Sequence, residues 1–133
     1  GLSSLLDLFH EQYYAELEGG ILEAFGKLFT KDLRIYVYPL LDQNTGFLNT
    51  VENVQMPVDV RNLYRHLVDR GRTKQLHNFD GSVLHVFSRD VLKRIKDNDA
   101  SWEAMVPGRI AEAIKRRGFF GYREAEALEP VLI

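Results

Sequence analysis

The chain contains no cysteine. That excludes a disulfide framework, a thiol nucleophile and a zinc site of the cysteine kind. Long hydrophobic runs are also missing: each apolar run is a few residues, far short of the roughly 20 that a membrane-spanning helix needs. The amino end has no basic region followed by an apolar block, so no secretory signal is expected and the cytoplasm is the expected location. There is no internal repeat and no low-complexity segment. A Walker glycine loop, a Gly-x-Gly-x-x-Gly dinucleotide turn and a Gly-x-Ser-x-Gly elbow are all absent.

What is present is ordinary in amount: 133 residues, 45% hydrophobic, 27% charged and 11% aromatic. Such a composition excludes whole-chain disorder and collagen-like structure. The length suits one domain with one core, expected over residues 1–123, followed by a loosely attached tail at 124–133. Gly1 stands where an initiator methionine would, which points to a piece of a longer protein.

The net charge of −2 hides a segregation. Residues 1–60 sum to −6, residues 61–123 to +7 and the last ten to −3. A positive middle section attracts anions such as phosphate, nucleotide or nucleic acid. The plainer reading is a set of solvated helix faces, with cations gathered at helix C-termini where the dipole favours them.

Apolar spacing predicts a helix over residues 4–18. Ser4 is its expected cap, and Leu5, Phe9, Tyr13 and Leu17 recur every four residues. Gly19-Gly20 weakens it, and the pattern resumes through Phe29. Leu33 to Tyr38 is the strongest strand signal, being rich in β-branched and aromatic residues. Asp42 to Gly46 is a turn cluster, and Phe47 to Val51 is a short second strand, a hairpin partner. Pro57 opens a helix with a Val60, Leu63, Tyr64, Leu67 and Val68 stripe, and Gly71 closes it. Short strands are expected at 73–76 and 83–87. Ser88 caps the next helix, with Val91, Leu92 and Ile95 inward. Pro107 starts the last one, which buries Ile110, Ala111 and Ile114 and ends at Gly118. The order of elements is that of an α/β or mixed α+β fold, a small sheet packed with about five helices.

Read together, residues 84–122 form one pattern: Leu84-His85-Val86-Phe87-Ser88-Arg89-Asp90 to Arg94-Ile95, Met105-Val106-Pro107, Ile110 to Ile114, then Gly118-Phe119-Phe120-Gly121-Tyr122. This pattern resembles the C-terminal end of the nicotinate- and nicotinamide-mononucleotide adenylyltransferases. The likeness is direct over 84–122 and looser over the whole chain, where Ile35 to Pro39 and the 57–70 helix are similar to the middle of longer bacterial proteins assigned this activity. It implies the C-terminal part of a nucleotidyltransferase Rossmann-like fold, with ATP and Mg²⁺ as cofactors. The implied reaction is adenylyl transfer from ATP to a pyridine mononucleotide in NAD synthesis, with release of pyrophosphate. It also implies that the helix beginning at Ser88 holds nucleotide phosphates. Helix N-termini bind phosphate readily through free N–H groups and partial positive charge. Ser88 adds a hydroxyl, and Arg89, Lys93 and Arg94 add charge, as the phosphate-binding residues.

The chain departs from the family in four ways. There is no Ser-Thr pair after Ser88, Asp90 puts a carboxylate where the family has a hydroxyl, and the family arginine falls nearest Lys93. The family's Gly-x-Phe-x-Pro-x-His-x-x-His signature is nowhere in the chain, whose histidines are His10, His66, His77 and His85. No catalytic residue is therefore assigned, and the chain by itself is expected to be catalytically incomplete. Its expected partners are a nucleotide or other small phosphate ligand, the remainder of a longer chain, and another copy of itself.

The alternative is a non-catalytic oligomerisation or regulatory module using the helical face of Phe9, Tyr13, Phe25 and Phe29. A basic stretch of Arg61, Arg65, Arg70, Arg72 and Lys74 raises nucleic-acid binding, but it carries no reader motif and no aromatic platform. His77, Asp80 and His85 match no compact metal-ligand spacing. Trp102 reads as a core anchor more readily than as a base-stacking group.

Overall fold

The computed structural model describes residues 1–124, so all but the first residue of the 124–133 tail lies outside the described residues. Helices and short strands both contribute, which is the expected mixed α/β class. The backbone groups into two compact units, Gly1–Leu84 and a second beginning at His85. Each has its own hydrophobic cluster, where the length of the chain suggested one core.

In the first unit, α1 (Leu2–Leu8) is followed by a 3₁₀ turn at Glu11–Tyr14 and by α2 (Gly20–Leu28). The expected single helix over 4–18 is therefore broken. His10 takes an extended conformation, and the Tyr14 hydroxyl donates to the Leu8 carbonyl at 2.7 Å, satisfying a helix-end acceptor. Tyr14 rather than Tyr13 turns inward, and Tyr13 is 69% exposed. Ser4 does not cap; Gly1 is the N-cap and Ser4 sits exposed inside α1.

The strand β1 (Ile35–Val37) pairs in parallel with β4 (Thr73–Gln75), Ile35 opposite Thr73 and Val37 opposite Gln75. A parallel pair needs a crossover, and α3 (Val58–Asp69) supplies it. Between them β2 (Leu40–Leu41) and β3 (Leu48–Asn49) form the hairpin. Its partner strand is thus 40–41 rather than 33–38. The Asp42 carboxylate accepts from the N–H groups of Asn44 (2.8 Å) and Thr45 (3.1 Å) to shape the turn. The Thr45 bond, then the Asn44 bond, hold that carboxyl below the usual range. α3 follows the expectation closely: Pro57 precedes it, Val60, Tyr64 and Leu67 are buried, and Gly71 follows at φ +67°. Phe9 meets Phe25 edge-on at 5.0 Å and Tyr64 at 5.5 Å, so α1, α2 and α3 share one aromatic centre.

The expected strand at 83–87 is not formed. Residues Gly81–Val83 make a 3₁₀ turn in which Asp80 accepts from the Ser82 N–H at 2.9 Å. Apolar spacing alone does not make a strand without a neighbour to complete its ladder.

The second unit contains α4 (Ser88–Lys96), a 3₁₀ segment at Ala100–Met105, α5 (Gly108–Arg117) and a 3₁₀ turn at Phe119–Gly121. Its centre is Trp102, 2% exposed, packed with Val91, Ile95, Ala111 and Ile114. Tyr122 closes on the indole at 5.9 Å. Leu92 and Ile110, expected inward, lie largely on the surface, Ile110 at 50% exposure. The buried stripes are thus narrower than the apolar count suggests: Val91 and Ile95 on α4, Ala111 and Ile114 on α5, gathered with Trp102.

Candidate functional site

α4 begins at Ser88 with Phe87 as its N-cap. The Phe87 carbonyl accepts from the N–H groups of Asp90 (3.0 Å) and Val91 (3.1 Å). Ser88 is thus the first helical residue, and its side chain makes no capping bond, contrary to expectation. Ser88 and Arg89 are exposed at this end, and the Arg89 guanidinium lies over the Phe87 ring at 5.5 Å. Asp90 adds a carboxylate to the same turn.

Lys93 and Arg94 are engaged at the other end of α4. The Lys93 ammonium pairs with the Asp97 carboxylate one turn on. That hydrogen bond, reinforced by the charge, holds Lys93 above its ordinary pKa. Arg94 donates to the Ser101 hydroxyl at 2.6 Å, and that hydroxyl donates to Asp99 at 2.6 Å. The Ser101 hydroxyl, then its backbone N–H, hold the Asp99 carboxyl below the usual range. Of the four phosphate-binding residues expected from the sequence, the structure places Ser88 and Arg89 at the helix start. It ties Lys93 and Arg94 into a C-terminal network.

The first unit carries a larger concavity beside α3. A cavity of about 460 Å³ has Val51, Met56 and Tyr64 in its wall and Arg61, Arg65, Glu52 and Asp69 around it. Arg61 and Arg65 stand one turn apart on α3, the spacing visible in the sequence. The Tyr64 hydroxyl donates to the Val51 carbonyl, and burial pushes its pKa up to about 12. A neighbouring cavity of about 360 Å³ shares Val51, Glu52 and Val68 with the first and adds Tyr36, Thr73, Lys74 and His77. Gln75 joins the segment after the hairpin to the sheet: its side chain accepts from the Val51 N–H at 2.9 Å and donates to the Val37 carbonyl at 3.1 Å. Thr73 is 2% exposed, and its hydroxyl has no hydrogen-bond partner among the described residues.

The sequence reading missed Thr73 and Gln75. Both lie in a strand of three residues whose polar composition gives no sign that they turn inward. The basic stretch is divided between neighbouring concavities: Arg61 and Arg65 line one, Lys74 the next, and Arg70 and Arg72 a third. Arg72 is bound to the carbonyls of Lys31 and, at 3.2 Å, Leu33. His77 and His85 are both exposed. Among the described residues no three His, Asp or Glu side chains gather in a way that would hold a metal ion. Mg²⁺ therefore rests on the resemblance alone.

Compared with known proteins, the chain matches no family model, no curated protein and no solved structure.

Proposed function

We propose that this chain is the C-terminal part of a nicotinate-nucleotide-adenylyltransferase-like protein, cytoplasmic and bacterial, acting in NAD synthesis. It is not catalytically complete by itself. The observation that supports the reading is the coincidence of motif order with one compact unit. Ser88 opens α4, Val106 and Pro107 make the extended turn, α5 follows, and the Gly118–Tyr122 segment closes on Trp102. In this reading Ser88 and Arg89 meet phosphate oxygens at the start of α4, where the dipole and amide groups favour an anion. Lys93 and Arg94 supply longer-range positive charge, and they reach the ligand only by exchanging Asp97 and Ser101 for it.

The test is a titration of the chain with ATP and with nicotinate mononucleotide, following backbone amide shifts. Saturable shifts centred on residues 87–94, reduced by Arg89→Ala, are the expected result. Shifts that avoid 87–94 would overturn the site. Pyrophosphate release by the chain alone would overturn its incompleteness.

A further inference from the structure

We propose that the groove between α2 and α3 is the interface of a two-fold symmetric homodimer. Leu22 on α2 is 68% exposed, far more than its apolar neighbours on that face. It stands between two concavities, of about 420 and 320 Å³, and lines both of them together with Leu63 of α3. The walls continue the apolar character, with Ile21 and Val60 on one side and Phe25 and Leu67 on the other.

The two ends differ in sign. Glu11 and Asp59 line the first concavity, and Arg70 and Arg72 the second. Arg72 is occupied by backbone carbonyls. Asp59 and Arg70 take part in none of the ion pairs among the described residues. They mark the two ends of α3, about 16 Å apart along its axis. A surface with an apolar middle, an acid at one end and a base at the other is complementary to itself. A two-fold axis near Leu22 and Leu63 sets each Asp59 against the partner's Arg70 and buries both Leu22 side chains together. Isologous pairing repeats every contact twice, so a short groove of this kind gains doubly from each complementary end. That charge arrangement selects a second copy over an unrelated apolar segment, which would need no such symmetry. The inference does not rest on the nucleotide reading.

Sedimentation equilibrium on the full chain tests it. The expected mass approaches twice 15.4 kDa as concentration rises, and association weakens in high salt as the end contacts are screened. Leu22→Glu, at an exposed position, is expected to leave the circular dichroism spectrum unchanged and give a monomer. Asp59→Arg and Arg70→Asp are each expected to weaken association by about tenfold or more, since each sets like charges together. Mixed in equal amounts, these two single variants are expected to form a heterodimer, because one groove is then basic at both ends and the other acidic at both. The doubly exchanged chain is expected to self-associate again. A chain monomeric at every concentration, a dimer indifferent to Leu22→Glu, or single variants that fail to pair with one another would each overturn the proposal.

Discussion

Two buried side chains in the first unit carry hydroxyls with opposite circumstances. Thr73, the first residue of β4, is buried, and its hydroxyl finds no partner among the described residues. A buried hydroxyl left unpaired costs about 1–3 kcal/mol relative to its hydrated state. Thr73→Val keeps the shape and the β-branch while removing that cost. We expect it to raise stability by about 1 kcal/mol, read as a higher urea midpoint at unchanged slope. A lower midpoint would mean that the hydroxyl is satisfied by solvent or a ligand in the adjoining cavity. Tyr64, by contrast, gives its proton to the Val51 carbonyl, and burial raises its pKa to about 12 from an ordinary value near 10. Below pH 10 the phenol is protonated in folded and unfolded chains alike, so stability there is independent of this group. Between about pH 10 and 12 the unfolded chain ionises first, and stability falls as pH rises. Tyr64→Phe is expected to lose about 1 kcal/mol at pH 7, by orphaning the carbonyl, and to make the alkaline decline shallower by this group's share, while Tyr14 and Lys93, also raised, keep theirs. Urea midpoints at pH 7 and pH 11 decide this; an equal decline in both proteins would refute the assignment.

Element boundaries in this chain are set by a few residues in the left-handed backbone region. Gly118 ends α5 at φ +61°, accepted at no steric cost because glycine has no Cβ. Two residues later Phe120 adopts φ +58° while 56% exposed, a conformation that costs a bulky L-residue about 1–2 kcal/mol. The two positions should therefore respond in opposite senses. Gly118→Ala is expected to destabilise the second unit by about 1 kcal/mol, and Phe120→Gly to stabilise it by a similar amount, measured by denaturation followed through Trp102. If both substitutions destabilise, the Phe120 ring contributes packing that outweighs its strain.

The same features explain which elements were legible. α3 announced itself through Pro57, a full apolar stripe and Gly71, each of which acts locally. The break between α1 and α2 was not legible, because it depends on Tyr14 reaching back to the Leu8 carbonyl, a contact that apolar spacing does not encode. The 83–87 segment has strand composition, yet strand formation is decided by an edge elsewhere. At α4 the residue types and the helix start were readable. The capture of Lys93 by Asp97 was not anticipated, although their four-residue spacing permits it, and Arg94 reaching Ser101 depended on the path of the following 3₁₀ segment. The cavity beside α3 was not legible, since its wall draws on residues before and within the helix.

On the scale of the molecule, charge and packing are partitioned by unit. The positive middle of the sequence is shared out: Arg61 to Lys74 belong to the first unit and Arg89 to Arg123 to the second. The apolar residues likewise gather around two centres, one aromatic at Phe9, Phe25 and Tyr64, the other at Trp102. Each centre offers a separate observable. Trp102 is the sole tryptophan and lies within the second cluster, so its emission reports that cluster alone. Ile95, 1% exposed in that cluster, should on truncation to alanine lose about 2–5 kcal/mol through lost transfer energy and the cavity left behind. Phe25→Ala should cost about 3–5 kcal/mol in the first cluster, where it also removes the edge-on contacts with Phe9, Tyr14 and Phe29. Against a typical total of about 5–15 kcal/mol, either loss is large enough to read without ambiguity. For Ile95→Ala the readout is the denaturant midpoint of the Trp102 emission shift. For Phe25→Ala it is hydrogen exchange at the Tyr64 and Leu67 amides of α3, which should accelerate by at least a hundredfold, the equivalent of about 2.7 kcal/mol. A Trp102 midpoint indifferent to Ile95→Ala, or α3 amides indifferent to Phe25→Ala, would show that the corresponding cluster does not hold its unit together.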